Sequence, residues 1–413
     1  QPNYELSDRY TAHEGAVFLN GTQVLARIAL DQAHLDRTAG RNTGGFITGY
    51  RGSPITSLDR EIASSADLFE AAGIVHKPAL NEDLAATAIW GTQQLAQNPA
   101  RKHEGVFGLW YGKGPGLDRS MDAIRHGAAY GASESGGVVL LVGDDHGASS
   151  STVAHQSETM LSAAHIPVLH PATLEELREF GLAAIEISRR SGAWVALKCQ
   201  TELLETSARV DLDASLPVIG TPELPSANFL YARNPEPPLD AEKRHQPRLT
   251  AVQQLVYSAS LDRITSTAKD ARLGIVATGK AWLDLCAAFE LLGLDPEDCN
   301  VRVWKPALTW PLEPLSAIGF AEGLEQVLVV EEKGALTEIQ LRVIFSERLG
   351  PQSPRIIGKR DQNGNDLIPQ TGVLDPVTVA GAVSAFLGVP AVPCHKGAPV
   401  FDLPRRRPFL CAG

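Results

Sequence analysis

The strongest constraint on the fold is a succession of short apolar runs in which hydrophobic residues follow one another instead of alternating with polar ones. Residues 45–50 (GFITGY), 74–80, 105–111 (GVFGLWY), 137–143 (GVVLLVG), 166–170 and 193–199 (AWVALKC) all have strand length. A strand that is apolar on both sides must be covered on both faces, as the strands of parallel sheets are. Between the runs lie segments of helical period at 22–37, 81–97, 118–130 and 173–190; the first places Val24, Leu25, Ile28, Ala29 and Leu35 near a 3.6-residue repeat. Strand–helix alternation predicts an α/β fold, a doubly wound, mostly parallel sheet in a first domain over residues 1–215.

Prolines 217, 222, 225, 235, 237, 238 and 247 then mark a linker over 216–249 that reads as an extended connection. A second α/β unit is expected over 250–390, with strands at 272–278, 301–304 and 327–331 and helices at 280–292, 332–349 and 376–387. A proline-rich tail, 391–413, reads as extended. The chain's 413 residues suffice for two or three domains with buried cores. With 37 basic and 48 acidic residues the net charge is −11, which argues against nucleic acid and anionic membrane as partners. No apolar run approaches the ~18–20 residues of a membrane helix. Five scattered cysteines form no CxxC pair, and the start shows no signal peptide, so a reducing, cytoplasmic compartment is expected.

Four polar segments follow successive predicted strands, where ligands of open α/β sheets bind. The first is Gly49-Tyr50-Arg51-Gly52-Ser53-Pro54-Ile55-Thr56 and the second Asn81-Glu82-Asp83. The third is Tyr111-Gly112-Lys113-Gly114-Pro115-Gly116-Leu117-Asp118-Arg119-Ser120. The fourth is Gly143-Asp144-Asp145-His146-Gly147, continuing to His155, Gln156 and Glu158. Each has an ordinary local explanation. Asn81 is a good helix cap, with Glu82 and Asp83 at the positive end of the helix dipole. The glycine-rich segment lacks the Gly-Lys-Ser/Thr order of a P-loop. The Asp-Asp-His loop has no metal-ligand spacing and reads as a solvated or substrate-lining loop, and Glu331-Glu332-Lys333 as a strand end with a solvated helix start. Gly358-Lys359-Arg360-Asp361 reads as a surface turn. Four loops at one sheet edge nevertheless make a joint site more credible than any one of them does.

On these segments, together with Val329-Val330-Glu331-Glu332-Lys333 and Ile357-Gly358-Lys359-Arg360-Asp361, the chain resembles the 2-oxoacid:ferredoxin oxidoreductases, in their indolepyruvate ferredoxin oxidoreductase branch. The resemblance implies a thiamine-diphosphate pyrimidine-binding domain followed by a transketolase-C-terminal-like domain. It places at Glu82 the carboxylate that touches N1′ of the aminopyrimidine, with Gly52, Ser53, Pro54, Asn81 and Gly114 around the cofactor. It assigns Arg51, Thr56, Arg119 and His146 to substrate. It implies oxidative decarboxylation of a 2-oxoacid, with an aryl or branched side chain expected, to an acyl-CoA. Coenzyme A is the co-substrate, and electrons pass through iron–sulfur clusters to a ferredoxin-like acceptor. This sequence has no GDG…N motif for Mg²⁺ and diphosphate and no cluster cysteines. Those parts are therefore expected on another segment or subunit, in an assembly holding at least two copies of the chain. The alternative is a non-catalytic scaffold subunit that retains the fold.

Overall fold

The computed structural model describes residues 4–390 apart from 150, 152, 215, 217, 233–236 and 269. The tail, with Cys394, Cys411 and Arg405 to Arg407, lies outside the described residues, as do Pro217 and Pro235 of the linker. In chain order the first strands are β1 (Ala16–Asn20), β2 (Thr43–Gly49), β3 (Ile74–His76), β4 (Gly105–Lys113), β5 (Val138–Asp144), β6 (Val168–Leu169), β7 (Val195–Gln200) and β8 (Ser207–Asp211). They are followed by β9 (Arg263–Ser266), β10 (Leu273–Ala277), β11 (Val301–Lys305), β12 (Leu308–Trp310), β13 (Gln326–Val330) and β14 (Arg355–Ile357).

The main sheet has seven strands in the order β12-β6-β7-β5-β4-β2-β3, parallel except for β12. Its apolar runs divide by parity, as the two-residue period of a strand requires. Val139 and Leu141 of β5 join the core under the helices Gly21–Thr38 and Leu174–Ser191, while Val138, Leu140 and Val142 join the core under Glu82–Thr92 and Met121–Tyr130. A five-stranded sheet, β14-β13-β10-β11-β9, repeats the arrangement. Ile275, Ala277, Leu328 and Val330 face the helices Lys280–Leu292 and Pro376–Leu387, and Val276, Val327 and Val329 face Pro314–Ala321 and Thr337–Arg348. β1 and β8 form a separate antiparallel pair.

Three local expectations need correction. The linker contains the short helices Ala227–Leu230 and Pro238–Glu242, the second opening on a proline, whose fixed φ suits a first helical turn. The helix His245–Ser258 packs on Leu174–Ser191, so it lies on the first sheet. The strand expected to run to residue 80 ends at His76. No helix among the described residues is long and apolar enough to cross a membrane.

Candidate active site

Parallel pairing brings the C-terminal ends of β2, β3, β4 and β5 to one edge. The segment after β3 places Glu82. Asn81 Oδ1 accepts from the Leu84 amide at 2.9 Å and caps the helix Glu82–Thr92. Glu82 opens that helix with only 4% of its surface exposed. Trp110 Nε1–H donates to its carbonyl oxygen at 3.1 Å, tying the turn to β4. The segment after β4 turns directly into the short helix Gly114–Arg119, whose backbone lies against the Glu82 carboxylate: a Cβ on Gly116 would come within 2.2 Å of Oε1. Arg119 Nε stands 3.9 Å from Glu82 Oε2 and 3.5 Å from Asp83 Oδ2. On the other side of the same turn a Cβ on Gly114 would strike the His155 ring at 2.2 Å. His155 Nε2 meets Asp118 Oδ2 at 2.8 Å, and its Nδ1 lies 3.4 Å from Asp144 Oδ1. Burial disfavours the imidazolium, but Asp144 and Asp118 outweigh it and raise the His155 pKa to about 9.

The segment after β2 folds over the sheet. Ile55 is buried in the core, a Cβ on Gly143 of β5 would meet Pro54 and Ile55 at 3.0 Å, and one on Gly52 would meet the Lys113 stem at 2.8 Å. Ser53 precedes a cis proline bond in this crossing. Arg51 and Thr56 sit apart from Glu82, on the wall of an open cleft of about 840 Å³ shared with Tyr50, Arg60, His76 and Leu80. The structure thus groups Asn81, Glu82, Gly114 and Arg119 and groups Arg51 with Thr56, while Gly52, Ser53 and Pro54 form the bridge over the sheet.

His146 lies elsewhere. It is 1% exposed, and its Nδ1 is bonded to Glu332 Oε2 at 2.8 Å, across the seam between the two sheets. The Asp-Asp-His segment is therefore not solvated at these positions: Asp144, Asp145 and His146 are all buried. Glu331, Glu332 and Lys333 are buried too, because β13 points its C-terminal end at that of β5. Gln200 Nε2 donates to Glu332 Oε2 at 2.6 Å, and Lys333 Nζ donates to the carbonyl oxygens of His146 and Gly372. Lys359 is buried with its Nζ donating to the Glu331 carbonyl, so the expected surface turn at Gly358–Asp361 is anchored in the same seam. Lys198 Nζ pairs with Glu158 Oε1 at 2.5 Å and stands 3.6 Å from Asp144 Oδ2. Burial opposes the charge on Asp144, yet His146, His155 and Lys198 hold its pKa well below the usual carboxylate range. Sequence reasoning passed over Gly116, His155 and Glu332 as site or seam residues. All three lie inside quoted segments, but nothing local marks Glu332 as the bonded partner of His146.

A family model described as "Indolepyruvate oxidoreductase domain" matches residues 263–392. "Indolepyruvate oxidoreductase subunit IorA" of Methanothermobacter thermautotrophicus is 27% identical over 99% of this chain and 60% of its own length. The protein of the same name from Pyrococcus horikoshii is 26% identical over 90% of this chain and 53% of its own length. Over its whole length the chain is thus similar to proteins of the indolepyruvate oxidoreductase branch of the 2-oxoacid:ferredoxin oxidoreductases, and its second half matches their domain model. It spans between half and two thirds of the length of these two relatives. Among solved structures, a 2-oxoglutarate:ferredoxin oxidoreductase from Magnetococcus marinus superposes with a TM-score of 0.62 at 13% identity, over 91% of this chain and 66% of that one. A split-gene transketolase, an inactive tetramer, gives 0.53 at 13% identity over 90% and 99%. The fold is thus the one shared by these two solved structures.

The similarity to this branch implies use of thiamine diphosphate and coenzyme A. The residues around Glu82 fit the aminopyrimidine end of the former. A carboxyl shielded from bulk water at a helix start, backed by bare glycine backbone, suits a ring nitrogen that must share a proton. Among the described residues no group of three or more His, Cys, Asp or Glu is placed to hold a metal ion.

Proposed function

We propose that this chain is the pyrimidine-binding portion of a thiamine-diphosphate-dependent oxidoreductase that decarboxylates an aryl 2-oxoacid such as indolepyruvate. The single observation that carries the reading is the buried Glu82 carboxyl against the Gly116 backbone at the sheet's C-terminal edge. When bound, thiamine diphosphate supplies the electron sink for decarboxylation. Glu82 would face the aminopyrimidine ring nitrogen and serve as its acid–base partner in a pocket shielded from bulk water. Asn81 fixes the start of the Glu82 helix, and Gly114 and Gly116 let the β4 turn approach closely. The bridge Gly52-Ser53-Pro54 closes the sheet top, and Arg51, Thr56 and Arg119 offer donors to the substrate carboxylate.

In this reading residues 1–215 form the pyrimidine domain, 216–249 the linker and 250–390 the transketolase-C-terminal-like domain. Mg²⁺ with the diphosphate, the iron–sulfur clusters and docking of the ferredoxin-like acceptor belong to the part of the relatives this chain does not span, or to a partner subunit. The relatives' description as subunits supports a multi-subunit assembly, in which we place at least two copies of this chain.

In the complete enzyme, Glu82→Gln should keep the melting temperature and circular dichroism of the parent. Turnover of indolepyruvate should fall by about 10²–10⁴-fold, the span of a lost acid–base group. Turnover within threefold of the parent would overturn the assignment.

A further inference from the structure

Behind the candidate site, where the ends of β5, β6 and β7 meet those of β10 and β13, lies a small cavity of about 20 Å³. Its wall includes His146, Glu158, His170, Lys198, Thr278 and Glu332. Three of these side chains carry buried polar atoms without a hydrogen-bond partner in the protein: His146 Nε2, Glu158 Oε2 and both ring nitrogens of His170. They are not surface groups, since His146 is 1% exposed and Glu158 and His170 are 5% exposed. Buried polar atoms are nearly always bonded, and each one left without a partner costs about 1–3 kcal/mol. Several converging on one small space therefore point to something that bonds to them all.

Size and valence narrow the occupant. On this volume scale a water molecule needs about 10–15 Å³, so the cavity takes one. Among the described residues no group of three or more His, Cys, Asp or Glu is placed to hold a metal ion, so the donors here suit a water better. The remaining hydrogen-bonding capacity can be counted. His146 Nδ1 is engaged by Glu332, and burial and Lys198 work against the imidazolium while Asp144 and Glu332 prevail and raise its pKa. Its Nε2 stands 3.8 Å from Asp144 Oδ2, too far for a direct hydrogen bond, and so is left without a close partner. Glu158 spends Oε1 on Lys198, leaving Oε2 as a spare acceptor. Burial keeps His170 neutral, so one ring nitrogen donates and the other accepts. The Nε2 side of that ring is closed by Gly279, where a Cβ would fall 2.1 Å away.

We propose that this cavity is a specific internal water site, in which one water accepts from His146 Nε2–H, donates to Glu158 Oε2 and completes its bonding at the His170 ring. The water links the loop after β5, the helix Glu158–Ala163 and the residue after β6 to the seam held by Glu332 of the second sheet. It sets the contact between the two sheets and takes no part in the chemistry proposed for Glu82.

The direct test is a crystal structure of this chain at about 1.5 Å. We expect a single peak within 2.6–3.2 Å of Glu158 Oε2 and a His170 ring nitrogen, distances normal for hydrogen bonds. A cavity without density overturns the proposal. Water ¹⁷O relaxation dispersion should lose one long-lived water in His170→Leu, and the melting temperature should drop by several degrees. An unchanged water count with a raised melting temperature would show that His170 had merely been an unsatisfied group, and would also overturn the proposal. If His170→Leu does not fold, His170→Phe, closer in shape, takes its place and should lose the same long-lived water; an unchanged water count there has the same overturning force as an empty map.

Discussion

Gly116 carries no side chain because the Glu82 carboxylate occupies the space a Cβ would need. Of the two groups, one offers chemistry and the other only room, yet a fault in either should silence the site. Gly116→Ala in the complete enzyme should push the carboxyl aside and lower kcat/KM for the 2-oxoacid by about a hundredfold, the usual effect of roughly ångström-scale misplacement. Gly91→Ala is the matching control. Gly91 lies in the same helix, a Cβ there meets nothing within 4 Å, and the exchange should leave turnover alone while stabilising the helix by about 0.5–1 kcal/mol. Steady-state kinetics beside thermal melts of the two variants would check both outcomes. At this scale Glu82 was legible, since an Asn-Glu-Asp start after a strand reads as a capped helix at a ligand-binding edge. Its burial was not legible, because the wall that shields it comes from a different strand. Glu332 was hidden for the same reason: its bonded partner, His146, is 186 residues away in the chain.

The turn Gly114–Arg119 is a short helix pinned from both ends of its surface, by Arg119 near Glu82 and Asp83 and by Asp118 on His155. The sequence period suggested one helix over 118–130. Two form, and the break falls at Ser120, whose Oγ donates back to the Gly116 carbonyl oxygen at 2.8 Å. The long apolar strands were legible because both-face burial leaves no polar residue in the run. β1, β9, β12 and β14 were not: they are short edge or ribbon strands, and Phe18 of β1 is 61% exposed. The pinning has a definite pH dependence. His155 has a folded-state pKa of about 9, above its ordinary 6.5, so its contribution is complete below pH 6.5 and disappears as pH rises towards 9. Amide hydrogen exchange, corrected for its intrinsic pH dependence, should show 114–120 losing up to about 3 kcal/mol of protection between pH 6.5 and 9.5. His155→Gln should flatten that profile. A parent profile already flat across this window would refute the clamp.

The two sheets present their C-terminal edges to each other, and the buried His146–Glu332 pair joins them. Removing one member leaves an uncompensated buried charge, so His146→Gln or Glu332→Gln should each cost about 3–5 kcal/mol in urea unfolding. The double variant should cost less than the two added together, by about 1–3 kcal/mol of coupling. Strict additivity would mean the seam transmits nothing between the halves. The two α/β units were legible from the alternation of runs, whereas their interlocking was not, because it depends on β12, a three-residue strand from the second half that closes the first sheet beside β6. Leu308 of that strand is wholly buried in the first sheet's core. Severing the chain at the proline-rich connection would therefore leave the N-terminal piece with a raw, hydrogen-bond-hungry border at Val168–Leu169 and a hole where Leu308 belongs. Such a piece should self-associate when made alone, so the halves of this protein cannot be exchanged as cassettes without carrying that borrowed strand along.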